Sequence, residues 1–389
     1  MATENNNKTL NVPNLRFPEF SGEWDRYKLE EVATISKERI GVDMLSSKNY
    51  ISTENMRSNF GGVGEATNLP ASGNVMKFQQ GDTLLSNIRP YLKKIWKAEF
   101  SGGCSADIFV FRSNTLCNQD FLYYTLANEK FISYAMSGAK GVKMPRGDKE
   151  QMLKYELHLP TTTEQDKITS LLSLLDERIA TQIKIIEKLE SLIRGISNNL
   201  LYSESGTPVR LGDILSERSE RTKVNNQHEV LSSTVKGIFS QREYFSKDIA
   251  SENNVGYKVI RLHDVVLSPQ NLWMGNINYN DKFDIGIVSP SYKIFSIADG
   301  YDKRFIAAML KTHRALYNYM LVSEQGASVV RRNLNMEAFE QLVFKMPPID
   351  KQREIGNAIS ALQSRLELAV RTKTAYEKQK QWLLTEMFI

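Results

Sequence analysis

The chain has few cysteines and histidines and no long apolar run. Its 389 residues include two cysteines and four histidines, and neither set has the spacing of a zinc site. A chain of this length with two cysteines is typical of a reducing compartment. No apolar run reaches the roughly 18 residues of a membrane span, and residues 1–8 (MATENNNK) lack the apolar stretch of a signal peptide. We therefore expect a cytoplasmic protein without a membrane segment.

The sequence also lacks the motifs of several enzyme classes. It has no Gly-x-x-x-x-Gly-Lys-Ser/Thr loop to hold a nucleoside triphosphate. Gly62 and Gly64 lack the third glycine and the strand-to-helix setting of a dinucleotide site. The Pro347-Pro348 pair lies at a predicted helix start and does not form the Asn/Asp-Pro-Pro-Tyr/Phe tetrad expected of a DNA amino-methyltransferase. These observations favour a protein that binds its target without a catalytic, metal or cofactor site of its own.

The composition is that of an ordinary folded protein. Hydrophobic residues make up 41%, charged residues 24% and aromatic residues 10%, and the formal net charge is +5. The length allows two or three domains, each with its own core. Because a charge of +5 is shared by many proteins that bind no nucleic acid, an argument for DNA binding needs local clusters of cations.

Two stretches have the heptad pattern of long helices that present one apolar seam to a partner. Each begins after a proline boundary, at Pro160 and at Pro347-Pro348. A helix of about 36 residues is about 54 Å long, which suits a spacer. Lys373 and Lys380 interrupt the second seam, and we expect them either to extend toward solvent or to mark contact with another protein. The seam positions are Leu172, Leu175, Ile179, Gln182, Ile186, Leu189, Ile193, Ile196 and Leu200 in the first stretch, and Ile355, Ile359, Leu362, Leu366, Ala369, Lys373, Tyr376, Lys380 and Leu383 in the second.

The chain contains one long module twice. Residues 27–39 (YKLEEVATISKER) align with residues 209–221 (VRLGDILSERSER), and residues 81–86 (GDTLLS) align with residues 263–268 (HDVVLS). The repeat is too long for a solenoid unit, so we predict two copies of a domain followed by a helix. The predicted segments are a first globular domain (1–160), a first spacer helix (161–202), a second globular domain (203–348) and a second spacer helix (349–389).

Within each module the patterns are mixed, which predicts an α+β fold. Asp82 and Asp264 occupy equivalent turns before apolar strands, and we interpret both as turn-forming side chains and not as a catalytic carboxylate pair. The predicted elements are strands over 108–111, 265–267 and 292–297, helices over 121–136 and 305–321, and Gly- and Lys/Arg-containing loops over 137–149 and 325–335.

Clusters of basic, amide and aromatic residues recur at corresponding places in both modules. Residues 87–97 (NIRPYLKKIWK) and the loop 140–147 (KGVKMPRG) form the first pair, and residues 269–273 (PQNLW) and 330–333 (VRRN) form the second. Cations neutralise phosphates, and Arg, Asn and Gln side chains recognise base edges. A single such cluster is more often an ordinary solvated face, but recurrence favours DNA contact. The candidate DNA-binding residues are Arg89, Tyr91, Lys93, Lys94, Lys140, Lys143, Arg146, Asn271, Trp273, Arg331, Arg332 and Asn333.

The order of these features resembles the specificity subunit of type I restriction-modification systems. The resemblance rests on tandem variable domains that each precede a long helix opening with Pro and then Gln, as at Gln165 and Gln352. It also rests on the phrases at 15–24 (LRFPEFSGEW) and 84–91 (LLSNIRPY). It covers essentially the whole chain and implies two tandem α/β target recognition domains separated by two long helices that form an antiparallel coiled coil with pseudo-twofold symmetry.

The resemblance also implies a function and partners. Each recognition domain would bind one half of a split, asymmetric double-stranded DNA sequence, with half-sites about one helical turn apart. The helices would dock two methyltransferase subunits, and restriction/translocase subunits would complete the complex. S-adenosylmethionine, ATP and Mg would then be cofactors of the partner subunits, with none in this chain.

Two other interpretations remain open from sequence. In the first, the chain is a non-catalytic scaffold whose coiled helices bind proteins and whose domains bind something other than DNA. This explains the heptads but not the recurring basic clusters. In the second, the chain is itself a nucleic-acid enzyme, such as a stand-alone methyltransferase or nuclease, and this requires a cofactor or metal site for which the sequence has no motif.

Overall fold

The computed structural model describes residues 11–200, 206–244, 253–328 and 331–389. The chain divides into two compact units: unit 1 comprises Met1–Gln182 and Thr372–Ile389, and unit 2 comprises Ile183–Arg371. Each long helix therefore contributes one part to each unit. The division into two recognition domains and two separate spacer helices stays a prediction. In the described ranges, no helix combines the length and apolar character needed to cross a membrane.

Unit 1 has two four-stranded sheets and a strand pair. Its strands are β1 (Asp25–Lys28), β2 (Ala33–Ile35), β3 (Arg39–Gly41), β4 (Tyr50–Ile51), β5 (Asn74–Phe78), β6 (Thr83–Ser86), β7 (Ile95–Lys97), β8 (Gly102–Cys104), β9 (Ile108–Ser113) and β10 (Glu156–Leu159). The sheet orders are β2-β9-β6-β7 and β3-β5-β8-β4, and β1 pairs with β10. The helices are α1 (Leu29–Val32), α2 (Gln119–Leu126), α3 (Glu129–Ser137), α4 (Lys149–Leu153) and the start of α5 (Thr162–Leu200).

Unit 2 repeats this plan for its central sheet. The order β12-β19-β16-β17 corresponds to β2-β9-β6-β7, and β11 pairs with β22 as β1 pairs with β10. The strands are β11 (Thr207–Arg210), β12 (Leu215–Arg218), β13 (Leu231–Thr234), β14 (Gly237–Ser240), β15 (Lys258–Arg261), β16 (Val265–Leu267), β17 (Ile277–Tyr279), β18 (Ile285–Val288), β19 (Lys293–Ile297), β20 (Ser323–Ser328), β21 (Arg331–Leu334) and β22 (Val343–Met346). The helices are α6 (Leu211–Ile214), α7 (Gln241–Tyr244), α8 (Lys303–Leu310), α9 (His313–Leu321), α10 (Met336–Glu340) and α11 (Ile349–Glu386), which ends in unit 1.

The equivalent aspartates form turns, as predicted, and each also binds an arginine. Asp82 Oδ2 accepts a hydrogen bond from the backbone N–H of Gln79 at 2.8 Å, and its carboxylate accepts two more from Arg112, both at 2.8 Å. In unit 2, Arg218 donates to both oxygens of Asp264 at 2.9 Å. Because both carboxylates are buried and bound to guanidinium groups, they stabilise their turns and sheets.

Two predictions about helices were wrong in detail. The single helix predicted over 121–136 is two helices, α2 and α3, and the one predicted over 305–321 is α8 and α9. The breaks come from polar residues that start a new helix. Asn128 accepts a hydrogen bond from the backbone of Lys130, and Thr312 accepts one from Ala315, so each side chain caps the second helix of its pair.

The predicted seam positions are the less exposed positions of the long helices wherever side chains are described. In unit 1, Leu172 and Leu175 of α5 share a core with Leu383 of α11. Lys380 Nζ lies 2.6 Å from Asp176 Oδ1, and Arg178 lies over the ring of Tyr376. Positions that ascend along α5 thus meet positions that descend along α11, so these two segments are antiparallel within unit 1.

Lys380 has a different role from either one expected of it. Its ammonium group pairs with Asp176 and lies 5.4 Å from the centroid of the Tyr124 ring. Tyr124 donates a hydrogen bond to the second carboxylate oxygen at 2.8 Å, and burial near this carboxylate raises the pKa of Tyr124 above its ordinary value. Lys380 therefore belongs to a polar contact between α5, α11 and α2. Lys373 pairs with Glu377 on its own helix at 2.7 Å.

Both cysteines are expected to resist alkylation until unit 1 unfolds. Cys104 and Cys117 lie in separate apolar cores, and burial raises the pKa of each thiol to about 12. Since the thiolate is the nucleophile, both should react with iodoacetamide at pH 8 far more slowly than an exposed thiol, whose pKa is about 8.5. Mass spectrometry of alkylated protein over a urea series checks this, and rapid modification of either cysteine without urea would contradict it.

Candidate nucleic-acid interface

The two basic segments predicted in the first module come together in unit 1. Arg89 donates its backbone N–H to the carbonyl oxygen of Pro145 at 2.7 Å, and Gly147 donates to Asn87 at 2.8 Å. Ile88 and Arg146 form an isolated backbone bridge between the same segments. The turn after β6 and the loop 140–147 are therefore one surface, although they are about 50 residues apart in the chain.

The loop 140–146, called here the tip loop, is closed by its own backbone. Lys140 and Arg146 exchange hydrogen bonds in both directions, each 2.9 Å long. Gly141 has a φ of +95°, a conformation that glycine adopts without steric cost. The result resembles a very short β-ribbon that projects residues 142–144 away from its base.

The candidate cations of unit 1 differ in how they are paired. Lys140 pairs with Asp148 at 2.7 Å, which raises the pKa of Lys140, and Arg146 pairs with Asp107 at 2.9 Å. Both remain largely exposed. Lys143 is exposed and has no hydrogen-bond or ion-pair partner among the residues that the structure describes.

Lys93 and Lys94 are half-buried, and the ammonium groups of both bind to other residues of unit 1. Lys93 pairs with Glu129 of α3, and Lys94 donates to the carbonyl oxygen of Thr53 at 2.5 Å. Lys93 also lines a cavity of about 410 Å³ beside α5 and α11. Their contact with DNA stays a prediction, as does that of Tyr91, whose side chain is 47% exposed.

Unit 2 has the same juxtaposition in a different local structure. Arg332 donates its backbone N–H to the carbonyl oxygen of Gln270 at 3.1 Å, and its guanidinium lies 5.1 Å from the centroid of the Trp273 ring. Asn271 directly precedes the 3-10 turn Leu272–Met274. This turn follows β16 just as the turn Pro90–Leu92 follows β6.

The predicted loop 325–335 is mostly a β-hairpin. Strands β20 and β21 pair antiparallel, with Asn333 opposite Glu324 and Arg332 opposite Gln325. The sequence prediction was wrong here because a strand of polar residues gives no apolar alternation. Asn333 is exposed, whereas residues 329–330 and the side chain of Arg331 lie outside the described part of the structure.

Several residues at these surfaces have a buried polar side-chain atom with no hydrogen-bond partner in the described part of the chain. These atoms are Asn87 Oδ1 and Arg89 Nε in unit 1 and Arg332 Nε in unit 2. Arg89 also has a left-handed backbone, with a φ of +50°, which is costly for a residue with a side chain. Unsatisfied groups and backbone strain of this kind concentrate at binding sites. Over the described ranges, no cluster of His, Cys, Asp or Glu could hold a metal ion.

The part of the chain that carries the candidate surface of unit 1 also matches a known protein family. The family model described as "Type I restriction modification DNA specificity domain" matches residues 21–191. The matched residues include the turn after β6, the tip loop and most of α5. They therefore contain the whole candidate surface of unit 1. The family resemblance predicted from sequence is confirmed.

Solved structures extend the likeness to the fold of the whole chain. The S subunit of a type I restriction-modification system from M. genitalium is 12% identical, with a TM-score of 0.65 over 97% of this chain and 99% of that one. A structure concerned with complex assembly and conformational transition of a type I restriction-modification system is 16% identical, with a TM-score of 0.50 over 93% and 96%. These likenesses confirm the predicted mixed α/β class with long helices. A search of the curated proteins found no match.

Sequence reasoning named the cations of the tip loop and passed over its apolar side chains. Val142 is fully exposed and Met144 is 49% exposed. Apolar residues inside a short Gly- and Pro-containing loop have no periodicity that separates exposed from buried positions. The sequence signal that could have identified them is their position between three cations.

Proposed function

We propose that this chain is the DNA-recognition subunit of a type I restriction-modification complex and that its two units bind the two halves of a bipartite, asymmetric target. The observation that carries this is the same juxtaposition in both units. In each, a polar turn after the central strand of the sheet meets a basic loop or hairpin. The specificity-domain match of unit 1 supports the same role for the corresponding surface of unit 2.

The proposed mechanism separates positioning from recognition. Exposed cations such as Lys143 hold phosphates and contribute affinity that salt weakens. Arg332 is held over Trp273, so its guanidinium is oriented before DNA arrives, and a guanidinium can bind guanine O6 and N7 together.

The long helices would set the gap between half-sites and dock other subunits. Each helix runs through both units, and each exposes large apolar side chains, including Leu174 and Leu192 of α5 and Leu368 and Trp382 of α11. Exposed apolar residues on long helices favour protein contacts. We propose that they bind two methyltransferase subunits and that restriction/translocase subunits join through these. S-adenosylmethionine, ATP and Mg would bind to those partner subunits as their cofactors. The complex would work in the cytoplasm.

Replacing Arg332 with alanine should relax specificity in the half-site bound by unit 2 and leave the other half-site unchanged. A lost bidentate base contact costs about 1–3 kcal/mol of discrimination. The measurement is binding of the assembled complex to duplexes carrying single changes in each half-site. Arg353→Ala is a matched control, because Arg353 is an exposed arginine of the same unit outside the candidate surface. Equal loss in both half-sites, or in neither, would contradict the assignment.

The scaffold interpretation predicts a different response to salt. A DNA-recognition surface that includes Lys143 should lose affinity steeply as salt rises, and Lys143→Ala should lower the slope of log K against log[salt] by about 1. A scaffold whose domains bind something other than DNA should show no salt-dependent affinity for duplex DNA. Titration of labelled duplex at several salt concentrations separates the two.

A further inference from the structure

The tip loop carries an exposed apolar side chain at the centre of a cationic surface. No described residue of the protein covers Val142, whose side chain is fully exposed. Lys140, Lys143 and Arg146 surround it in the sequence and are all exposed. Leaving a valine in water is unfavourable. Its cationic neighbours indicate a polyanionic partner that offers an apolar group at the point of contact.

The loop presents Val142 in a fixed position. The two hydrogen bonds between Lys140 and Arg146 close its base, Arg89 holds the carbonyl oxygen of Pro145, and Asp107 holds the Arg146 guanidinium at 2.9 Å. The loop's own hydrogen bonds and contacts from two other parts of unit 1 therefore restrain these seven residues. A restrained loop loses little conformational entropy when it binds, which is the property expected of a specificity determinant.

The chemistry of duplex DNA supplies one group that fits. The major groove is about 12 Å wide and admits a two-stranded ribbon, and the C5-methyl group of thymine is the apolar group that base pairs present there. We infer that the tip loop enters the major groove and that Val142 packs against the C5-methyl group of a thymine. The half-site bound by unit 1 therefore contains an A·T pair opposite Val142. This inference rests on the proposed function of the chain.

Replacing that thymine with uracil tests the contact, because uracil lacks only the methyl group. The full chain, assembled with its methyltransferase subunits, is titrated with DNA duplexes. Each duplex carries the sequence at which the complex methylates DNA. Unit 1's half-site is the one whose recognition changes in Arg146→Ala. Thymines of both half-sites are replaced by uracil one at a time. One uracil in the half-site of unit 1 should weaken binding about fourfold, the effect of one buried methyl group.

Val142→Ala should remove this difference and bind the thymine and uracil duplexes equally. The variant should fold normally because Val142 makes no packing contact. Val224→Ala is the matched control, since Val224 is an exposed valine (59%) of unit 2. This control should keep the fourfold preference for thymine.

The possible failures are distinguishable. Sequence-specific binding that is indifferent to uracil, or a unit 1 half-site without thymine, would overturn the inference and leave the proposed function standing. The same holds if Val142→Ala retains the preference for thymine, or if it weakens assembly with the methyltransferase without changing the response to uracil. If the complex that contains the unsubstituted chain shows no sequence-specific DNA binding, the proposed function is overturned, and the inference with it.

Discussion

Replacing Phe388 with alanine is expected to destabilise unit 1 by about 3 kcal/mol and to leave unit 2 intact. Phe388 is buried, and its ring stacks on Phe121 with a centroid distance of 4.9 Å. The end of the chain is also held by hydrogen bonds, since the Asn128 side chain donates to the carbonyl oxygen of Leu384 at 2.7 Å and Lys130 donates to that of Phe388 at 2.9 Å. The residues at the end of α11 and those that follow it are thus part of the core of unit 1.

Hydrogen exchange measured by mass spectrometry checks this prediction, because it reports each unit separately. In Phe388→Ala, peptides from α2 and α3 should lose protection while peptides from α8 and α9 keep it. Trp382→Ala is the control on the same helix, because Trp382 is 54% exposed and its loss should cost much less. Equal deprotection of both units, or unchanged protection of α2, would show that the C-terminal residues are not a structural part of unit 1.

Replacing Asp82 with alanine is expected to cost about 3 kcal/mol of unit 1 stability, because it leaves a half-buried guanidinium without its carboxylate. Arg112 is 32% exposed and also pairs with Glu38, so part of its charge remains compensated. The turn before β6 also loses the acceptor for the Gln79 N–H. Strand β6 leads directly into the turn that carries Arg89. Destabilising unit 1 should therefore also weaken binding to the half-site of unit 1.

Asp264→Ala supplies the matched variant in unit 2. Arg218 donates to both carboxylate oxygens of Asp264, and Arg261 donates its backbone N–H at 2.7 Å. Each variant should therefore reduce protection from exchange and half-site binding in its own unit. Asp350→Ala is the control, because Asp350 is 90% exposed and its ion pair with Arg353 has little energetic weight. If either aspartate variant unfolded both units together, the proposal that each unit binds its own half-site independently would be contradicted.

The sequence predicted the features of the fold that depend on long patterns. The seams of α5 and α11 extend over many heptads, so single exceptions such as Lys380 do not hide them. The repeat was visible because the turn at Asp82 and Asp264 keeps its position before a buried strand in both copies. Both features sum weak signals over many residues, which makes them robust.

Features that depend on a few residues or on tertiary contact were not predictable in the same way. The breaks at Asn128 and Thr312 rest on one capping side chain each, within a continuous apolar pattern. The hairpin of β20 and β21 is built from polar residues without alternation. The basic segments were found separately, but the contact between Arg89 and Pro145 is formed by tertiary packing, which no local pattern encodes. For the same reason the exposure of Val142 became visible only in the structure.

The central claim is that this chain sets the sequence specificity of DNA methylation. The measurement that tests it most directly is sequencing of methylated adenines in DNA from cells that express this chain with its methyltransferase partner, compared with cells lacking only this chain. We predict a bipartite motif that disappears when the chain is deleted and changes in one half only when Arg332 is replaced. Methylation that persists unchanged without the chain would contradict the claim and favour the scaffold interpretation.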